Sequence, residues 1–215
     1  FSSSLSEGLE DGVAPSDTQT IAEAKAWLGS LTRDERGQVE SSGKNIMIIL
    51  ENDPNLKGRI KMDIFSRRLT VTGRLPWARI TDGLDDWADT DDGSLATYLE
   101  FWYGVVGNGK IENAVNEVAL KNKYHPVRDY LNRLEWDGTQ RLQTLLIGYF
   151  AASDSPYTRK VTEMPFVASV ARVFQPGVKY DTALILVGSQ GLAKSSFISK
   201  MANGWFNDSL LRVDT

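Results

Sequence analysis

The stretch ALILVGSQGLAKSS, residues 183–196, decides the fold class of the carboxyl-terminal part of the chain. The apolar run Ala183–Val187 has the length of a buried strand, and apolar residues recur at helical spacing from Ser195 to Ala202. A glycine-rich turn lies between these two segments. A strand, a glycine-rich turn and a helix in this order are typical of a phosphate-binding loop.

The turn matches all but one of the fixed positions in the pattern Gly-x-x-x-x-Gly-Lys-Ser/Thr. Backbone N–H groups of such a loop bind phosphate oxygens, and the following helix adds partial positive charge. We expect Lys194 to contact the β- and γ-phosphates of ATP as the catalytic residue, and Ser195 to supply an oxygen to Mg²⁺. The predicted nucleotide-binding residues are Gly188, Ser189, Gln190, Gly191, Leu192, Ala193, Lys194, Ser195 and Ser196. The alternative interpretation is a glycine turn with a capping serine and no ligand.

Ala193 is the departure from the pattern, which has glycine at this place. Glycine lets the backbone approach the phosphates closely, so the Ala193 methyl group either crowds the nucleotide or requires a slightly different loop. The sequence resembles the Gly-x-Pro-Gly-x-Ala-Lys-Ser loop of the MCM replicative helicases, which work with alanine here. Ala193 by itself therefore does not exclude a working site.

Composition excludes several classes of protein. The net charge of -4 argues against a globally basic nucleic-acid-binding surface, and the absence of cysteine excludes disulfides and thiolate metal sites. The sequence has no run of eighteen apolar residues and no secretory leader, so we expect no membrane contact and a cytoplasmic location. Because the first residue is Phe1 rather than methionine, we expect a fragment of a longer protein.

The pattern along the chain predicts an α+β fold in three parts. Residues 1–20 have few large apolar residues and are predicted to be a disordered lead-in. Residues 21–150 are predicted to be a mainly helical domain with a β-hairpin near 60–72. Within it, the apolar run at residues 46–50 is compatible with a helix or a strand. Residues 151–215 are predicted to be the first part of an α/β P-loop ATPase domain, with a helix kinked or split at Pro165.

Charge is distributed unevenly around the predicted hairpin. Residues 57–74 contain six basic residues and one acid, whereas residues 82–100 contain seven acids and no base. The basic residues proposed to contact nucleic-acid phosphates are Arg59, Lys61, Arg67, Arg68 and Arg74. The alternative is an ordinary exposed hairpin face that pairs with the acidic segment of the same chain. Trp77 follows the hairpin and is the tryptophan we would test for base stacking.

His125 is the single histidine of the chain and precedes Pro126, a residue suited to the first position of a helix. This context favours a capping or packing role over a catalytic one. With one histidine and no cysteine, the chain has few ligands for a transition metal.

Three stretches together resemble the virulence-associated E (VapE) family of phage and mobile-island proteins. They are HPVRDYLNRLEWDGTQRLQTLLIGYF at 125–150, VASVARVFQPGVKYD at 167–181 and GSQGLAKSSFISKMANGWFNDS at 188–209. Upstream, ILENDPNLKG and LPW fit the same family more weakly, so the resemblance covers about residues 44–215.

The resemblance implies a P-loop ATPase of helicase type that acts in DNA replication of a mobile element. It implies DNA and a primase as partners and a ring of identical subunits in the parent protein. The family loop usually has glycine where this chain has Ala193. We expect the acidic, sensor and arginine-finger parts of the ATPase to lie after Thr215, so this chain alone should bind nucleotide weakly or hydrolyse it poorly. The alternative is a nucleic-acid-binding or adaptor module whose nucleotide loop does not hydrolyse ATP.

Overall fold

A computed structural model describes residues 26–79 and 86–206. The chain forms two compact units, Phe1–Tyr130 and Leu131–Thr215. The predicted lead-in at 1–20 lies outside the described residues, as do Asp82 and Asp85 of the acidic segment. The domain boundary predicted near residues 151–156 stays a prediction.

Within the described residues, the first unit contains a β-hairpin packed with helices. Strands β1 (Ile60–Asp63) and β2 (Arg68–Val71) pair antiparallel, with Ile60 opposite Val71 and Asp63 opposite Arg68. The helices are α1 (Gly43–Asn52), α2 (Asp89–Tyr103) and α3 (Asn108–Lys121), and α4 (Pro126–Asn132) runs across the division between the units. Helix next to a small antiparallel sheet is the α+β architecture that the sequence predicts.

The apolar run at residues 46–50, which the sequence leaves ambiguous, is helical. The Ser42 hydroxyl accepts a hydrogen bond from the Asn45 backbone N–H and so caps the start of α1. Ile46, Ile49 and Leu50 are fully buried against the hairpin and helices α2 and α3. Each such side chain contributes about 1.5–3 kcal/mol by leaving water, so packing of this face fixes the helix.

A buried carboxylate joins the end of α1 to the end of α2. One oxygen of Asp53 accepts the hydroxyl hydrogens of Tyr98 and Tyr103 at 2.8 and 2.7 Å, and the other accepts the Asn55 backbone N–H at 2.8 Å. Burial, together with the Asp53 charge, raises the pKa of both Tyr98 and Tyr103 above the usual range. These hydroxyls stay protonated and serve as structural donors.

The second unit consists of short helices around a small aromatic cluster. A 3₁₀ turn (Leu142–Thr144) leads into α5 (Leu145–Phe150), followed by α6 (Pro156–Phe174) and α7 (Lys194–Met201). The Phe197 ring of α7 lies 5.1 Å from the Phe150 ring and 6.5 Å from the Phe166 ring, between centroids. The aromatic cluster therefore fixes α7 against α5 and α6.

Two predictions for the second unit can be compared with the structure. Of the kink or split expected at Pro165, the split is wrong, because helix α6 continues through that residue, and the kink stays a prediction. The segment Ala183–Val187, predicted as a strand, forms no ladder within residues 26–79 and 86–206. Ile185 and Val187 are 79% and 92% exposed, because no neighbouring strand in that part of the chain covers them. An extended segment needs a hydrogen-bonded neighbour to become a strand.

Candidate functional site

The phosphate-loop residues connect the extended segment at 183–187 to helix α7. Gly191 has φ of 90° and Ala193 has φ of 52° with ψ of 29°, both in the left-handed region. Leu192 between them and Lys194 after them have ordinary negative φ. A left-handed residue followed by a right-handed helical residue, as at Ala193 and Lys194, is one of the backbone arrangements that favour anion binding.

The start of α7 leaves its first backbone N–H groups without a side-chain cap. Ala193 occupies the cap position, where its methyl side chain has no oxygen to accept them. Its carbonyl accepts the Phe197 N–H at 2.9 Å and so begins the helix. Uncapped N–H groups and the helix dipole together favour an anion at this end.

The Lys194 side chain bends back over the loop. Its ammonium group donates to the carbonyl oxygens of Gly188 and Ser189 at 3.0 and 2.9 Å. The ammonium group is therefore held by carbonyl oxygens of the loop itself, and its contact with phosphate stays a prediction. Ser195 and Ser196 are exposed in the first turn of α7.

The two glycines at the start and in the middle of the loop differ in what a side chain would meet. A Cβ atom on Gly188 would lie 2.7 Å from the terminal Cδ1 atom of Leu192, so this exposed side chain would have to rotate away. Gly191 has open space around it but has the positive φ that side chains disfavour. Backbone conformation therefore favours glycine at position 191.

The predicted nucleic-acid residues lie on and around the hairpin. Ile60 and Val71 belong to the core and Met62 and Leu69 pack against it, so by strand alternation Lys61 and Arg68 share the opposite face. Arg67 and Arg74 are exposed. The hairpin thus brings Lys61 and Arg68 to one face, whereas Arg67 lies in the turn and Arg74 lies beyond the end of β2.

The Arg59 side chain packs along the backbone of its own hairpin. Its Nη1 atom lies 2.9 Å from where a Cβ on Gly73 would be, so the glycine leaves room for it. Its Nε atom is buried and has no hydrogen-bond partner among residues 26–79 and 86–206. The Arg59 side chain is therefore half-buried and packs against the hairpin, and it also carries a positive charge.

Residues of the acidic segment form ion pairs with an arginine of the hairpin and with an arginine that follows it. The first pair supports the alternative that the basic hairpin face pairs with the acidic segment of the same chain. Arg68 contacts Asp86 at 3.1 Å, in an exposed ion pair. Arg79 contacts the buried Asp91 at 2.9 Å, in a pair that is largely shielded from water.

Trp77 is part of the same internal network, and base stacking on it stays a prediction. Its indole N–H donates to Asp91 at 2.9 Å, and its ring packs against Trp87 and Tyr98. Burial on its own would raise the pKa of Asp91, but hydrogen bonds from Arg79, the Ala88 backbone and Trp77 outweigh it and hold the pKa below its usual value.

His125 has the capping role that its sequence context favours. Its Nδ1 atom accepts the backbone N–H of Arg128 at 3.3 Å at the start of α4. The sequence did not predict the contact between the His125 ring and the exposed Phe65 ring, whose centroids are 5.4 Å apart. Residues so distant along the chain meet only because Tyr124 pairs with β1.

Residues 26–79 and 86–206 contain no cluster of three histidine or acidic side chains able to hold a metal ion. In the same residues, no helix combines the length and the apolar character that crossing a membrane requires.

One family model matches the chain. It describes the virulence-associated protein E-like domain and covers residues 131–215, the same range as the second compact unit. A search of curated proteins found no match. The family resemblance seen in the sequence is therefore supported for residues 131–215.

Proposed function

Because residues 131–215 belong to the virulence-associated protein E-like domain family, we propose that the chain binds Mg²⁺-ATP as part of a helicase-type P-loop NTPase in the DNA replication of a phage or mobile genetic element. The observation that carries the proposal is the backbone of the loop. Gly191 and Ala193 are left-handed on either side of Leu192, directly before an uncapped helix. This arrangement supports phosphate binding by main-chain N–H groups.

Each residue of the loop has a separate part in the proposed site. The N–H groups of residues 191–195 bind phosphate oxygens, and the Lys194 ammonium leaves the carbonyls of Gly188 and Ser189 to contact the β- and γ-phosphates. The Ser195 hydroxyl, exposed at the start of α7, supplies an oxygen to Mg²⁺. Phosphoryl transfer depends on positioning and charge neutralisation, which these groups provide on the phosphate side.

The proposed partners are DNA, a primase and further copies of the chain in a ring. The family resemblance motivates all three, and the cations of the hairpin add a surface that suits a polyanion. A ring is the arrangement in which a neighbouring subunit supplies an arginine to the nucleotide.

The alternative function is an adaptor that keeps a nucleotide loop without hydrolysis. The observation in its favour is Ala193, which holds a left-handed conformation that costs an alanine about 1–2 kcal/mol. A loop strained in this way binds phosphate less readily than one with glycine.

A nucleotide titration tests whether the phosphate loop binds ATP. A fluorescent ATP analogue with Mg²⁺ is titrated into the wild-type chain, Lys194→Ala and the control Lys200→Ala, which removes a lysine from the last turn of the same helix. We expect Lys194→Ala to weaken binding about tenfold or more, since it removes a charge-assisted bond, and Lys200→Ala to leave it unchanged. Equal affinity of all three proteins would refute the phosphate-loop assignment. Phosphate release under the same conditions then distinguishes the ATPase from the adaptor.

A further inference from the structure

The turn of the hairpin presents an aromatic ring to solvent. The Phe65 side chain is 50% exposed, and its backbone N–H donates to the Asp63 carboxylate at 2.7 Å. The Ser66 hydroxyl donates to the other Asp63 oxygen at 2.8 Å, and Arg67 closes the turn with φ of 60°. The turn is thus held in one conformation by its own hydrogen bonds.

The Phe65 ring is also supported from one side. It packs against the His125 ring with 5.4 Å between centroids and 40° between planes. His125 is fixed by its cap bond to Arg128 and by the pairing of Tyr124 with Met62, whose carbonyl accepts the Tyr124 N–H at 3.0 Å. An exposed ring that is already fixed loses little conformational entropy when a flat ligand stacks on it.

The hairpin that carries this ring is rich in basic residues, and Asp86 of the acidic segment pairs with one of them. Asp63 is the acid of residues 57–74, and it is buried and bonded within the turn. Arg67 and Arg68 follow Phe65 closely in the chain. Arg68 pairs with Asp86, but exposed pairs of this kind are weak, so a phosphate group can displace the carboxylate.

A second exposed aromatic surface on the same unit shows why charge decides the ligand. Phe101 is 77% exposed and lies edge-on to Trp102 near the end of α2. Helix α2 carries four acids and no lysine or arginine. A polyanion is repelled there and attracted to the hairpin turn.

From this geometry we propose that the hairpin tip, defined as Phe65, Arg67, Arg68 and His125, binds single-stranded DNA. One base stacks on the open face of Phe65, and the flanking phosphates contact Arg67 and Arg68. A single strand fits because its bases are free to stack on a side chain, whereas those of a duplex are stacked on each other. The site deepens the proposed function and rests on it for the choice of DNA as the polyanion.

The test uses the full 215-residue chain without nucleotide, so that it is independent of Lys194. Fluorescence anisotropy compares labelled oligothymidylate with an abasic deoxyribose-phosphate oligomer of equal length, which has the same charge but no bases. We expect Phe65→Ala to bind oligothymidylate about tenfold more weakly and the abasic oligomer as the wild type does. Phe65→Tyr, which keeps the ring, should bind as the wild type does, and so should the control Phe101→Ala.

Equal loss on both oligomers, or no loss on either, would overturn the stacking site. Tighter binding of oligouridylate than of oligothymidylate would overturn the assignment to DNA. The preference for single-stranded DNA would be overturned if duplex DNA bound as tightly as the single strand and Phe65→Ala left duplex binding unchanged.

The charge part of the site has its own variants. Arg68→Gln should weaken binding of both oligomers and reduce the slope of log affinity against log salt by about 0.7. Asp86→Asn should strengthen binding about threefold, because it frees Arg68 and removes a negative charge. If the Arg68–Asp86 pair is only structural, Asp86→Asn should bind DNA more weakly than the wild type or equally well. That result would remove Arg68 from the proposed site. Loss of ATP binding by Lys194→Ala with unchanged DNA binding leaves this proposal intact, so the two can fail separately.

Discussion

Replacing Ala193 with glycine should strengthen nucleotide binding. Ala193 has φ of 52° at the cap of α7, a conformation that costs an alanine about 1–2 kcal/mol and glycine almost nothing. Glycine in turn loses about 0.4–1 kcal/mol more backbone entropy when the loop is ordered. The difference leaves about 1 kcal/mol in favour of Ala193→Gly, or about fivefold in affinity if the left-handed loop is the form that binds phosphate.

The assay is titration of the fluorescent ATP analogue with Mg²⁺ into wild type, Ala193→Gly and Ala193→Val. Valine should weaken binding most, since a β-branched residue is a stronger outlier at positive φ. The matched control is Ala202→Gly, at the other end of α7, where φ is -76° and there is no strain to relieve. If Ala193→Gly binds no better than wild type while Ala202→Gly is neutral, the loop conformation is not what limits affinity, and the reasoning fails.

Two further variants test the packing of the loop and of the first unit. Gly188→Ala should leave nucleotide affinity within about twofold of the wild type, because its Cβ would meet only the terminal Cδ1 atom of the exposed Leu192, a side chain that can rotate away; a larger loss would show that the loop cannot accommodate the methyl group. Asp91→Asn should lower the free energy of unfolding by about 3 kcal/mol at neutral pH, measured by urea titration, because Arg79 then loses its buried partner. The pKa of Asp91 is lowered in the folded protein, so the stabilisation is present above the unfolded pKa of about 3.9 and is lost as pH falls through the folded value. The difference between wild type and Asp91→Asn should therefore shrink in acid, and a constant difference would contradict the assignment.

The sequence correctly predicted the turns and helix starts that depend on residues close together in the chain. The hairpin, the start of α4 at Pro126 and the helix after Lys194 all follow from residues a few positions apart. The capping role of His125 was predicted for the same reason, since the cap depends on the three residues that follow it. Apolar periodicity also identified the buried face of α3, with Ile111, Val115 and Val118.

Features that depend on distant parts of the chain could not be predicted. The run at 46–50 became a helix because α2 and α3 cover the side chains of Ile46, Ile49 and Leu50, which periodicity over five residues cannot reveal. The burial of Trp77 could not be predicted, because it depends on the hydrogen bond of its indole N–H to Asp91, a residue that also binds Arg79. The predicted strand at 183–187 depended on neighbouring strands, and the described residues supply none.

The left-handed conformation of Ala193 explains why an imperfect motif can keep its loop geometry. A residue keeps a strained backbone conformation only when contacts of the surrounding structure hold it there. Here Phe197 anchors α7 among the rings of Tyr149, Phe150 and Phe166, so the helix cannot easily begin at another residue. On the other side, the exposed Leu192 side chain lies beside Gly188 and leaves the loop free to adjust. The ring contacts of Phe197 are therefore the packing that holds the start of α7 at Ala193. The substitution then changes the affinity of the loop for phosphate without removing the shape that binds it.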